Sequence, residues 1–475
     1  MNSKIARNLS ANSLQLLVNQ LFGLLIFYVL STTLDKSSFG HINWTLAVLL
    51  TGFNILSCGI DQLSIKKIAT GEHPEDVLSI YLSHVLIAGM IFYLVIVLNH
   101  FFFPALISEH ALLLLLGLGK LMIFFSSPFK QIAIGLEKFR ALFIMSVGSN
   151  VIRGILLIIL AITHSISITS IILIFIVGDT VELLLSIIIV NQGMKIPILI
   201  RWHGYHYFQL MKEALPQVGV VLFTSALARM DWIFVGVLAS RTKLAEYSFA
   251  YKIFEVSTFP LLIIAPLLIP VFTRIFKNGD PGVLRVQQFK LLLTLEMIIA
   301  CFISLVLYLG WVPVMDGITG GKYGIVNHSS ILIFCVCMPL IYVNNFLWTL
   351  HFTSGRLKMI FWIFAITFMI NVSGDLLLIP LYGNEGAALA YLAAMLLQMI
   401  LFMGGSQKIN ISIIYTPLLI CLGSAAIASL GAILLFSNIY IIIFMAICIY
   451  IFLLIIFKQF NIKYWRMLRY LLWKK

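Results

Sequence analysis

The stretch ALPQVGVVLFTSALARMDWIFVGVLAS (214–240), continued by RTKLAEYSFAYKIFEVSTFPLLIIAPLLIPVFTRIF (241–276), decides the fold. Each half is long and apolar enough to cross a bilayer as a helix, which takes about 20 residues. Yet Arg229, Asp231, Lys252 and Glu255 lie inside them. A charge facing lipid at the centre of a span costs roughly 2.5 to 3.5 kcal/mol, so these side chains are expected to face a polar interior. Pro260, Pro266 and Pro270 remove helical N–H groups and free carbonyls that only neighbouring helices or water can satisfy. The stretch reads as a helical hairpin lining a cavity inside a membrane protein.

The rest of the chain fits that setting. Hydrophobic residues make up 61% of 475 and charged residues 10%, with a mean hydropathy of +1.07, values outside the range of a water-soluble core. The apolar runs are continuous rather than alternating, which favours helices over a β-barrel. No loop is long enough for a soluble catalytic domain. A net charge of +13 would suggest nucleic acid in a soluble protein, but here the basic residues mark one membrane face and no nucleic-acid partner is expected. The six cysteines all fall in expected spans, and neither disulfides nor a metal site is supported. The first apolar run is too long for a signal-peptide core and is expected to stay as the first span.

Spans are expected at about 11–33, 40–60, 78–99, 111–133, 141–163 and 168–191, then 213–239, 245–272, 289–313, 328–352, 358–380 and 385–404, with a final pair at 411–436 and 439–457. The fold class is therefore all-α, a polytopic membrane protein of about 14 helices. With the N-terminus inside, 23 Lys and Arg residues collect on the cytoplasmic side and 4 on the other, which places both termini in the cytoplasm. Six spans return the chain to its starting side, so a second six would repeat the first in parallel. LDKSSFG (34–40) and SRTKLAEY (240–247) occupy corresponding outer turns. The expected divisions are a six-helix lobe at 1–208, a second at 209–408, and a helix pair with a basic tail at 409–475.

Helical spacing sorts the intramembrane polar groups into faces. Asn8, Asn12, Gln15 and Asn19 form an amide stripe on the first span, and Asn54, Ser57 and Asp61 share a face of the second. Asn150 lies beside Arg153, Asp179 beside Glu182, and Lys252 beside Glu255. Lys120, Glu296 and Asp375 are the other buried ionisable groups. Arg153 and Arg229 present planar forks suited to phosphate, although pairing with Asp179, Glu182 or Asp231 is an equally physical use of them. Lys252 and Glu255 can neutralise each other, and Glu296 is expected to snorkel to the cytoplasmic face. Asp179, Glu182, Asp231 and Glu255 are candidates to bind a coupling ion, H+ or Na+. GITGGK, ending at Lys322, mimics a phosphate loop but has Asp316 for its first glycine and Tyr323 after the lysine.

At 371–395 the chain reads NVSGDLLLIPLYGNEGAALAYLAAM. This run resembles the polysaccharide-type (Wzx-like) flippases of the multidrug/oligosaccharidyl-lipid/polysaccharide exporter superfamily. Phe39-Gly40, ARMD at 228–231 and SGRLK at 354–358 add to the likeness. Locally, Pro380 is expected to end a helix, Gly383 and Gly386 to make the outer turn, and Ala387, Ala388 and Ala390 to permit close helix contact. The resemblance implies two six-helix lobes around a central cavity that opens alternately to each side. It also implies a substrate, an undecaprenyl-pyrophosphate-linked oligosaccharide such as an O-antigen, capsule or exopolysaccharide repeat unit, moved unchanged across the bacterial inner membrane. Membrane lipids and a polysaccharide polymerase are the further partners it implies. Lys120, Arg153, Arg229 and Lys252 are the residues here that can hold the pyrophosphate, and the excess of buried acids departs from a plainly cationic cavity. A cation-coupled multidrug exporter and a lipid II flippase share the architecture. A membrane glycosyltransferase or polymerase would need a larger outer loop or an acidic metal motif, so no catalytic residue is assigned.

Overall fold

The computed structural model describes residues 3–104, 107, 109–200, 204–205, 207–214, 223, 229–277, 282–405 and 412–459. These residues form helices and turns only. In order they are α1 (Ser3–Thr33), α2 (Lys36–Leu56), α3 (Ile60–Ala69), α4 (Pro74–Phe102), α5 (His110–Gly135), α6 (Phe139–Ile162), α7 (Ile168–Ile188), α8 (Met230–Leu238), α9 (Arg241–Ser257), α10 (Phe259–Lys277), α11 (Gly282–Thr319), α12 (His328–Thr353), α13 (Leu357–Tyr382), α14 (Asn384–Gly404), α15 (Ser412–Leu435) and α16 (Ile439–Ile456). Eleven of them are long and apolar enough to cross a membrane, and α9 with α10 makes a twelfth as one bent span. In α1 the apolar part is Leu17–Thr33. Of the span expected at 213–239, the part before Arg229 lies almost entirely outside the described residues, as do the side chains of Asn8 and Asn12. The protein is an all-helical, multi-pass membrane protein.

Burial sorts the helices. In Ile325–Thr353, which contains α12, about 72% of the apolar stretch is covered by the rest of the protein, against 22% in α16, the more apolar of the two. α12 is thus a central helix and α16 a peripheral one. The large apolar side chains left bare, among them Ile91, Leu94, Phe101, Leu377 and Phe452, are those a hydrocarbon solvent covers without cost.

Sequence expectation and structure part at three helix ends. The second span was expected to run from 40 to 60 with Asn54, Ser57 and Asp61 on one face. Instead α2 ends at Leu56, Cys58 and Gly59 take φ of 51° and 70°, and Asp61 belongs to the separate helix α3. Two successive left-handed residues cannot continue a right-handed helix, and glycine supplies one of them without strain. Pro380 was expected to end a helix, but α13 continues through it to Tyr382 and stops at Gly383, whose φ is 57°. The third difference is the 40° bend between α9 and α10. Pro260 has no N–H to donate to Val256, and Thr258 N instead shares the carbonyls of Phe254 and Glu255, each at 3.2 Å.

The chain divides into two compact units, Met1–Ala245 and Glu246–Lys475. Within the first, α5 packs against α4 and α7, and α6 against α1 and α7. Within the second, α13 and α14 form a close hairpin, as the small residues of 371–395 imply. A Cβ added to Gly386 would stand 2.2 Å from the Leu378 carbonyl oxygen, and one on Gly374 would meet the Ala390 Cβ at 2.8 Å. Ala387, Ala388, Ala390 and Ala394 are all buried, Ala390 in this contact. The GITGGK segment is a turn closed by Asp316, whose carboxylate accepts from Gly324 N at 2.6 Å and Ile325 N at 3.2 Å. The outer turns noted in sequence both cap helices: Asp35 accepts from Ser38 N at 2.8 Å, and Ser240 from Lys243 N at 3.1 Å.

Candidate functional site

The first unit contains a buried ionic cluster built from three helices. Lys120 comes from α5. Arg153 and Asn150 come from one face of α6, Asp179 and Glu182 from one face of α7, as their spacing requires. Lys120 Nζ donates to Asp179 Oδ2 at 2.8 Å and lies 5.1 Å from the centre of the Phe175 ring. Arg153 Nη2 donates to Asp179 Oδ1 and, at 3.3 Å, to Glu182 Oε2. Arg153 Nη1 donates to Asn150 Oδ1 at 2.7 Å, and Asn150 Nδ2 to Asn19 Oδ1 at 3.0 Å. Thus Asn19, from the amide stripe of α1, joins the outer layer of the cluster. Lys130 Nζ and Ser149 Oγ also donate to Glu182.

Glycines make room for these contacts. A Cβ on Gly119 would stand 2.6 Å from Asp179 Oδ2, and one on Gly178 would strike the Arg153 chain at 2.3 Å. Of the five charged side chains only Lys130, 18% exposed, has more than marginal access to solvent. Among the described residues charge is not balanced, because three cations meet two carboxylates. The Nε–H of Arg153 is buried without an acceptor among the described residues. A site of excess positive charge with a free donor is suited to an anion bearing several oxygens.

The other expected residues lie elsewhere. Arg229 precedes α8 with φ −144°, outside the helical geometry assumed from sequence, and its guanidinium lies 4.4 Å over the Trp232 ring. Asp231 is buried, and its Oδ1 accepts from Trp232 N at 3.0 Å. In the second unit Lys252 Nζ donates to Glu255 Oε2 at 2.7 Å, so those two form the neutralising pair. Glu296 does not snorkel: its side chain is 2% exposed in the body of α11, because a glutamate in mid-helix has too short a stem to reach the interface.

Sequence reasoning missed Lys130, counted with the cytoplasmic charges although α5 carries it to Glu182. It also missed a cluster near the ends of α2 and α9. There Glu109 accepts from Arg241 Nε at 2.6 Å and Nη2 at 2.8 Å, and its Oε1 lies 2.7 Å from His41 Nδ1. The Arg241 guanidinium stacks 4.2 Å over Trp44, and Trp44 Nε1 donates to the Ile233 carbonyl at 3.3 Å. A Cβ on Gly40 would fall 1.9 Å from the Arg241 carbonyl oxygen, which gives the Phe39-Gly40 pair its structural reason. Below the α2 break, Asp61 accepts from Tyr81 Oη. Burial pushes its carboxyl up to about 6 against the opposing bond from Ser57.

This architecture is similar to several solved structures. One is described as a lipid II flippase, MurJ, in an inward closed conformation (TM-score 0.73, 13% identity, covering 94% of this chain and 98% of that one). Another is an inward-facing multidrug resistance MATE family transporter of the MOP superfamily (0.69, 15% identity, 84% and 96%). A third is a MOP superfamily transporter from Pyrococcus furiosus (0.58, 13% identity, 86% and 96%). At these identities the likeness defines a fold, that of the multidrug/oligosaccharidyl-lipid/polysaccharide exporter superfamily. No curated protein sequence matches the chain. Residues 5–276, more than half of the chain, match the polysaccharide biosynthesis protein family, and the chain belongs to that family.

Proposed function

We propose that this protein flips an undecaprenyl-pyrophosphate-linked oligosaccharide, such as an O-antigen, capsule or exopolysaccharide repeat unit, across the bacterial inner membrane by alternating access, with both termini in the cytoplasm. The observation that carries the reading is the membrane-buried cluster in which, among the described residues, Lys120, Lys130 and Arg153 face Asp179 and Glu182. Within the cluster the carboxylates hold the cations in place. A pyrophosphate brings more negative charge and more acceptor oxygens than either carboxylate and competes for Arg153 and Lys120. A carboxylate released in this exchange is available to a coupling ion, H+ or Na+, so substrate and ion binding become linked through one set of contacts. Asp231 and Glu255 are the corresponding ion candidates near Arg229 and Lys252, which complete the proposed pyrophosphate-binding set.

Two six-helix lobes, 1–208 and 209–408, remain the proposed moving parts, with the last helix pair beside them. The sugar hydroxyls would cross in a polar environment, since each unpaired in hydrocarbon costs several kcal/mol, while the polyprenyl tail stays in lipid. No bond is made or broken, so the protein acts as a transporter rather than an enzyme, and a polymerase would consume what it delivers. The test is complementation of a deletion strain and flipping in proteoliposomes by Arg153→Ala and Arg229→Ala. Both variants are expected to insert in the membrane and lose transport. Full activity in both overturns the assignment of the site.

A further inference from the structure

Glu296 has no part in the cluster above. It sits nine residues into the span Gln287–Thr319, roughly 13 Å along the helix axis from its start. Its side chain is 2% exposed, and neither carboxyl oxygen has a hydrogen-bond partner among the described residues. Two other buried polar groups of α11 are satisfied locally: Thr294 Oγ1 donates to Lys290 O at 2.7 Å, and Ser304 Oγ to Ala300 O at 3.0 Å and Cys335 O at 2.8 Å. Glu296 thus does no visible structural work at a position where an unpartnered carboxylate is expensive.

Its surroundings limit what it can hold. α11 packs against α12, α15 and α16. From α12 the Tyr342 hydroxyl, itself buried without a hydrogen-bond partner among the described residues, stands within electrostatic reach of Glu296. From α15 Cys421 lies near Cys301, more than a turn away from Glu296. From α16 Tyr450 donates to the Ile298 carbonyl at 3.1 Å. No charged side chain among the described residues bears on the group. A metal cation needs several oxygen ligands, and the described residues form no cluster of three or more potential metal ligands. One carboxyl group and one hydroxyl are sufficient for a proton.

We propose that Glu296, with the Tyr342 hydroxyl, is a proton-binding site of the second unit. In the state described here Glu296 is a neutral acid sealed from water. Release of its proton requires a state in which water reaches it, and that requirement ties proton exchange to the conformational cycle. The helix that carries Tyr342, α12, packs against α10, so a change in the α9–α10 angle is felt on the helix that bears it. This inference rests on the flippase reading for its role in transport, but not for its chemistry.

The test has two arms. Infrared difference spectra of purified protein, wild type minus Glu296→Gln, are expected to show loss of a protonated-carboxyl C=O stretch at neutral pH, and Tyr342→Phe should shift that band. Absence of any such band in the wild-type spectrum overturns the site. In proteoliposomes with an undecaprenyl-pyrophosphate sugar, an imposed pH gradient is expected to change the wild-type rate and leave Glu296→Gln unresponsive. A variant that keeps the full gradient response overturns the proposal while flipping itself stands. A wild type that flips nothing overturns the flippase reading, and the spectrum still decides whether Glu296 holds a proton.

Discussion

Asp179→Asn tests the ionic cluster most sharply, because it keeps the shape of the side chain and removes one charge. Asp179 is 0% exposed and accepts from both Lys120 and Arg153, themselves 6% and 7% exposed. The substitution leaves two buried cations facing an amide, with Glu182 as the one carboxylate among the described residues for three positive charges. Removing one partner of a buried pair costs about 3 to 5 kcal/mol, two to three and a half powers of ten in the unfolding equilibrium. Reversible unfolding in mixed micelles measures this. The companion variant Lys120→Met removes one of the stranded cations, so the double variant is expected to recover at least about 1 kcal/mol relative to the sum of the singles. Single effects below about 0.5 kcal/mol that add without coupling would refute the cluster as drawn.

Three further outcomes follow from the geometry. Gly386→Ala places a methyl 2.2 Å from the Leu378 carbonyl oxygen, a backbone atom that cannot yield, and should destabilise by about 2 to 3 kcal/mol or abolish accumulation. Gly404→Ala, with nothing within 4 Å, is the neutral control, and equal thermal stability of the two would contradict the hairpin packing. Asp61 has a carboxyl raised by burial to about 6 from 3.8, so the native state binds a proton that the unfolded chain has lost. Stability should therefore fall by about 3 kcal/mol as pH rises from 4 through 6 and level off above it, and Asp61→Asn should remove that slope in pH-dependent unfolding. Arg241→Lys keeps the charge but loses the two-pronged bond to Glu109 and the stacking on Trp44. A cost of about 1.5 to 3 kcal/mol is expected, and wild-type melting behaviour would count against the cluster.

Much of the fold was legible because the cost of exposing backbone in hydrocarbon acts segment by segment. Eleven helices could be placed from apolar runs, and the close α13–α14 contact from Gly386 and its alanines. Helix ends were less legible. Nothing local marks Cys58 as a left-handed residue, and Pro380 was given a role that Gly383 performs. In the site, spacing found the two faces that meet, Asn150 with Arg153 and Asp179 with Glu182. It could not find which cations meet which acids, since Lys120 and Asp179 are 59 residues apart and Glu109 and Arg241 are 132 apart. Lys130 was misplaced and Glu109 missed for the same reason: a charge near a span end has the same composition signal whether it points to water or back into the protein. Glu296 differs, because snorkelling is a property of stem length and depth, and its depth became visible only with α11 in place.

The central claim is that the cargo is a sugar on a pyrophosphate-linked polyprenyl carrier. Mass spectrometry of total lipid extracts from the native host, wild type against a deletion of this gene, tests it most directly. The account predicts that one short oligosaccharide on undecaprenyl pyrophosphate accumulates in the deletion strain and is cleared by the wild-type gene but not by Arg153→Ala. An unchanged pool of lipid-linked sugars, or accumulation of lipid II alone, would contradict it.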